Sequence, residues 1–164
     1  QTDRALYLLA PNGLNRSALA AKLETGITLA KTERNVTSAH AIAALARKLD
    51  IGVAFENSNE ANRGTTESME AMRARWKKYK YQAPLLVDDR HQVADAFGAR
   101  TTPHVFLFDG TGVLVYTGAI DDNVDSAKKV KKAWLKDALT AMSGNQAIKV
   151  PQTKNLGCSI KRVQ

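Results

Sequence analysis

Residues 101–122, TTPHVFLFDGTGVLVYTGAIDD, carry more of the fold than any other stretch of the chain. Thr101-Thr102-Pro103 leads straight into an apolar run, Val105 to Phe108. Asp109-Gly110-Thr111-Gly112 then turns the chain, and a second run follows, Val113 to Tyr116. Two β-rich runs joined by a short Asp/Gly turn predict an antiparallel hairpin. A proline at the mouth of a buried strand removes a ladder donor, so Pro103 must stand at the strand's first position or in a special turn.

Upstream of this segment, Ala83–Asp89 reads as a strand and Val93–Ala99 as a short helix stopped by Gly98. Residues 5–10 form a strand candidate ended by Pro11-Asn12-Gly13. Asn15–Leu23 has helical spacing, and Ile27–Lys31 is a further strand candidate. Thr37 or Ser38 can cap a helix over Ala39–Leu49. Ile51–Glu56 reads as a buried strand, followed by the polar loop Asn57–Gly64. Thr65 or Thr66 is the expected cap of the next helix, where Met69, Met72 and Trp76 share a face. Downstream, the stripe Val130, Trp134, Leu135, Ala138, Leu139 and Met142 predicts a last helix over about Ser126–Met142, with its lysines outward. From Gln146 the tail is expected to be mostly irregular.

The order strand–helix–Thr-Pro–hairpin–helix resembles the second half of the thioredoxin fold, in which the X-Pro bond is cis and faces the redox site. Two further segments, Ala119–Asn123 and the closing Val150–Lys161, resemble the peroxiredoxin-like (redoxin, AhpC/TSA-type) branch of that superfamily. The resemblance covers roughly residues 50–162; residues 1–34 match poorly, and residues 144–164 form a C-terminal tail. It implies a single α/β domain: a central mixed sheet of four to five strands with helices on both faces. A length of 164 residues fits one domain with its own core. No apolar run approaches the ~18 residues that span a bilayer.

Active members of this superfamily place a nucleophilic cysteine at the start of the first helix after a central strand. There the helix N-terminus stabilises the thiolate. With Ile27–Lys31 as that strand, Asn35 and Ser38 fall on the CxxC positions, and neither is a thiol. With Leu6–Ala10 as the strand, the segment Asn12–Asn15 also lacks one. A peroxidatic cysteine is missing as well, because the one cysteine of the chain is Cys158. Its bland role is a small, half-buried anchor of the tail. Its functional alternative is a single reactive thiol, with Lys154, Lys161 and Arg162 nearby.

The remnant redox site implied by the resemblance comprises Asn35, Ser38, Thr102, Pro103 and His104. His104 and His40 lie near it without a third ligand at zinc-like spacing, so no metal or other cofactor is expected. Asp88, Asp89, Asp121 and Asp122 are expected to cap turns and helices, Asp89 for the helix near Val93. Two Asn-x-Ser/Thr triplets, at Asn15 and Asn35, matter only on a secretory route.

Net charge is +8. Lysines gather at Lys77–Lys80, flanked by Trp76, Tyr79 and Tyr81, and again at Lys128–Lys132. No nucleic-acid motif accompanies them, so solvated faces are expected rather than RNA or DNA binding. Contact with an acidic partner or an anionic membrane surface is the remaining use of that charge. The expected function is a redoxin-type domain without its dithiol that binds protein as an accessory subunit of a larger assembly. The alternative is a monothiol oxidoreductase acting through Cys158. An exported (periplasmic) or organellar location is the expectation, although no residue pattern selects the compartment.

Overall fold

The computed structural model describes residues 5–9, 41–81 and 83–163. In chain order the elements are β1 (Ala5–Leu9), α1 (residues 41–48), β2 (Gly52–Asn57), α2 (Met69–Lys78) and β3 (Leu85–Val87). There follow α3 (Gln92–Ala96), β4 (Thr101–Thr102), β5 (His104–Phe108), β6 (Leu114–Gly118), α4 (Trp134–Ser143) and β7 (Cys158–Ser159). Single 3₁₀ turns occupy Glu60–Asn62 and Ala127–Lys129.

Five strands form one mixed sheet in the order β3-β2-β1-β5-β6, and β4 and β7 form a separate two-stranded pair. The central strand is β1. It runs parallel to β2 and antiparallel to β5, with Leu9 opposite Glu56 on one side and His104 on the other. The strand candidate Ile27–Lys31 and the helix candidate Asn15–Leu23 lie outside the described residues, as do the expected caps Thr37 and Ser38. The place between β2 and β5 therefore belongs to Ala5–Leu9, from the segment that resembled known folds least.

Side-chain alternation along β5 divides the core between two faces. Val105 and Leu107 join Ile42 and Ala46 of α1, Phe55 of β2 and Leu135, Ala138, Leu139 and Met142 of α4. Phe106 instead meets Ala94 of α3, Ala99 and Ile160, with Phe97 and Phe108 alongside. Helices thus cover both faces. Burying a side chain such as Leu107 or Leu139 contributes on the order of 1.5–3 kcal/mol. The hairpin turn is tied by Asp109 Oδ1, which accepts from the backbone N–H of Thr111 and Val113.

Several helix boundaries differ from expectation for local electrostatic reasons. Ser68, not Thr65 or Thr66, caps α2, its hydroxyl accepting from Ala71 N at 3.2 Å. Met72 is buried and Trp76 packs on the core, whereas Met69 in the first turn is exposed. The indole of Trp76 donates to Ala83 O and stacks on Tyr81 at 4.3 Å. These aromatics complete the core instead of interleaving with the lysines. Asp88, not Asp89, caps α3, with Oδ1 on Val93 N and Oδ2 on Ala94 N, each at 3.0 Å. The last helix begins only at Trp134. Asp122 accepts Lys131 N at 2.9 Å and donates its own N–H to Lys132 O at 3.1 Å. That holds Lys131 and Lys132 out of the helix, after the 3₁₀ turn that carries Lys128 and Lys129, and clustered like charges would oppose a longer helix there.

The tail carries no helix, yet its pairing is specific. Thr117 N donates to Pro151 O and Thr153 N to Thr117 O, so residues 151–153 seal the outer edge of β6. Thr153 Oγ1 accepts from Ala119 N at 2.9 Å and meets the Tyr116 hydroxyl at 3.1 Å. This contact requires Gly118, whose φ is +140° and whose missing Cβ would overlap Thr153 Oγ1 and stand 2.7 Å from Thr153 O. Gly112, at φ +82°, faces open space. Gly118→Ala should therefore cost about 3 kcal/mol of unfolding free energy and Gly112→Ala about 1 kcal/mol, as read by urea denaturation. Equal costs would mean that the tail does not pack on β6 as described.

Candidate binding site at the cis-proline end

The chemistry-bearing residues gather where β1 and β2 end and β5 begins. In open α/β sheets, the carboxyl ends of strands at the switch between the two directions of travel are where ligands commonly bind. Here β1, β2 and β3 spread to one side and β5 and β6 to the other. The Thr102–Pro103 peptide bond is cis. His104 begins β5 immediately after it, half-buried, with Nε2 at 3.1 Å from Thr117 Oγ1 and its ring 4.3 Å from that of Phe106. Burial holds the His104 imidazole below the usual histidine range.

Because Leu9 pairs with both Glu56 and His104, the two titratable residues stand in one row on the same sheet face, with Cα atoms about 10 Å apart. Glu56 is 2% exposed. Its carboxyl is pushed up to about 7, chiefly by burial and secondarily by the Asp88 carboxylate. Glu56 Oε2, Thr102 Oγ1 and His104 Nδ1 are buried without a hydrogen-bond partner, as are Asn57 Oδ1, Ser58 Oγ, Arg63 Nε and Asn155 Oδ1 around them. Buried polar atoms with unused capacity are uncommon and point to a polar group that can reach them. The arrangement therefore offers unused hydrogen-bonding capacity at Glu56, Thr102 and His104, with the Glu56 carboxyl biased toward its protonated form by burial.

Behind Glu56 lies a second polar layer. Asn57 Nδ2 donates to Glu67 Oε2 at 2.7 Å, and Arg63 donates to the backbone carbonyls of Asn57 and Asp88. His91 Nδ1 lies 3.0 Å from Ser58 O, while Nε2 accepts from Val163 N at 3.0 Å. Those two bonds specify the Nδ1–H tautomer and tie the tail to the loop after β2.

Of the expected site residues, Thr102, Pro103 and His104 come together, and Cys158 joins them from the tail. Thr102 faces Cys158 across the β4–β7 pair, and Thr101 faces Ser159. The thiol is exposed, not half-buried as its anchoring role required. Burial at that point of the tail falls to Ile160. Asn35, Ser38 and His40 lie outside the described residues. Sequence reasoning passed over Glu56, although an acid closing the apolar run Ile51–Glu56 was a readable signal. No cluster of metal-ligating side chains occurs among the described residues. An open hollow of about 630 Å³ lies at the other end of β5, by Asp109 and Pro151, away from this site.

No protein-family model matches the chain, and no curated protein does. Among solved structures, a hypothetical protein from Sinorhizobium meliloti 1021 is 28% identical, with a TM-score of 0.76 over 99% of this chain and 81% of its own. An uncharacterized conserved protein from Geobacillus kaustophilus is 23% identical, with a TM-score of 0.76 over 98% and 77%. A thioredoxin-like superfamily protein is 13% identical, with a TM-score of 0.60 over 89% and 83%. The chain therefore has a thioredoxin-like fold.

Since the folded chain holds the Glu56 proton more tightly than the unfolded one, this group's stabilisation is full below about pH 4.5 and is lost as pH rises through about 7. Glu56→Gln should abolish that loss. Its unfolding free energy relative to wild type should grow by about 2.5 kcal/mol between pH 5 and pH 8. Urea titrations at each pH measure it, and a flat difference would make Glu56 an ordinary carboxylate.

Proposed function

We propose that this chain is a redoxin-type (AhpC/TSA-like) domain that binds protein as an accessory subunit, at the crevice of Thr102, Pro103 and His104, without dithiol chemistry. The observation that carries the reading is the cysteine count: one thiol, placed in the tail on β7 and not at a helix start. On this reading Asn35 and Ser38 stand where a dithiol enzyme has its sulfurs. Thr102 and His104, on either side of Pro103, each keep a buried polar atom without a partner, which supports a binding role at this place.

A second reading has one specific observation in its favour. Cys158 is exposed and directly across from Thr102, beside the cis-proline. A Cys158 thiolate there could attack a partner's disulfide, forming a mixed disulfide and releasing the partner's other sulfur as thiolate.

Isolation of the tagged, full chain from its source, with and without reductant, separates the two. The binding reading expects partners that co-purify equally in both conditions and are retained by Cys158→Ser. Partners released only by reductant, and lost in Cys158→Ser, would replace it with the monothiol reading. A lone chain in every condition would overturn both.

A further inference from the structure

The backbone edge beside the cis-proline is occupied by the chain's own tail. Ser159 and Cys158 run antiparallel to Thr101 and Thr102, and Ile160 N donates to Arg100 O at 3.0 Å. The segment Gly157-Cys158-Ser159-Ile160 thus lies on β4 as an added strand. Three features of its seat are selective. A Cβ on Gly157 would overlap Thr102 O and stand 2.7 Å from Thr102 C and 3.1 Å from Pro103 N. Cys158 and Ser159 both point into solvent and are exposed. Ile160 is buried among Ala94, Ala99 and Phe106.

We propose that the β4 edge is a strand-addition site for an extended segment of the pattern Gly-x-x-Ile, filled in cis by the tail and opened to a partner protein's segment when the tail lifts. This rests on the protein-binding reading above and supplies its recognition chemistry. Main-chain hydrogen bonds along an edge strand give affinity, while the seats for particular side chains give specificity. Here the glycine is demanded by the close approach of Thr102, and the aliphatic residue by the apolar seat under α3.

The tail is held over the edge by a short ladder and by single contacts on either side of it, beginning with Asn155 Nδ2, which donates to Thr101 Oγ1 at 2.6 Å. Its ladder with β4 is two residues long. Beyond it, Lys161 N donates to Asn59 Oδ1 at 2.8 Å, Ala61 N to Lys161 O at 3.1 Å and Val163 N to His91 Nε2 at 3.0 Å. Arg162 pairs with Asp95 at 2.5 Å and donates to Ala99 O. These polar bonds are only partly buried, and segments attached by short ladders and few buried contacts open locally without global unfolding. A tethered strand acts at an effective concentration in the millimolar range, so an incoming segment competes only when the tail is weakened or the partner binds by further contacts.

The test uses the full chain, wild type and Ile160→Ala, and a synthetic peptide of residues 150–163 with serine in place of Cys158. Fluorescence anisotropy should show the peptide binding the Ile160→Ala chain at least tenfold more tightly than wild type. Alanine at the Gly157 position of the peptide, or aspartate at its Ile160 position, should abolish binding, and the bound peptide should shift the Thr102 amide in NMR spectra. A folded Ile160→Ala chain that binds no peptide, or binds the alanine peptide equally well, overturns the proposal. Hydrogen exchange on wild type probes the lifting of the tail without any substitution. The Ile160 and Val163 amides should exchange at least tenfold faster than that of Leu107, and exchange of all three only through global unfolding overturns it. A partner isolated from the intact chain together with failed peptide binding would retire the tail site and leave the protein-binding function standing.

Discussion

Strand β1 is hydrogen-bonded along both edges, parallel to β2 and antiparallel to β5, and that double pairing joins the two halves of the molecule. Without it, the β2–β3 unit and the β5–β6 hairpin would each present an unpaired edge and half a core. The same register sets the candidate site. Leu9 opposes Glu56 and His104 together, so an acid from one half and a base from the other are brought into one row at this end of the sheet. A slip of one residue in either pairing would turn one of the two side chains to the opposite face.

The tail imposes the second constraint. It first seals β6 through Thr153 and then runs to β4, where Gly157 passes over the Thr102 carbonyl. Both contacts depend on a glycine: Gly118 on the sheet side of the first, Gly157 on the tail side of the second. Each replaces a side chain with a close backbone approach, which explains why residues without helix or strand periodicity are nonetheless placed. The tail also brings the chain's only thiol to the cis-proline from a position remote in sequence.

Polar burial is concentrated at this end of the sheet. Asn57 and Glu67 bond each other, Arg63 bonds the carbonyls of Asn57 and Asp88, and His91 bonds Ser58 O. Unused capacity runs through both layers: Asn57 Oδ1, Ser58 Oγ and Arg63 Nε lack a partner, as do Glu56 Oε2, Thr102 Oγ1 and His104 Nδ1. So many buried, unpartnered polar atoms in one region are uncommon in a folded chain.

The hairpin, the strand after Ile51, the helix stripe ending at Met142 and the fold class were all legible in the sequence. Period-two and period-3.6 patterns report burial directly, and Gly and Asp mark turns by their own backbone preferences. The start of α4, the caps Ser68 and Asp88 and the exposure of Cys158 were not legible. Each depends on a competing hydrogen bond or neighbour supplied from elsewhere, as when Asp122 takes Lys131 N and denies the lysines a helix. By itself, then, the sequence determined the elements, the thiol count and the proline at the strand's mouth, because these are local or compositional. Tertiary structure alone decided that Ala5–Leu9 is the central strand, that Glu56 shares a row with His104 and that Cys158 lies opposite Thr102. Pairing register and close packing join residues up to a hundred positions apart, and no local pattern encodes that.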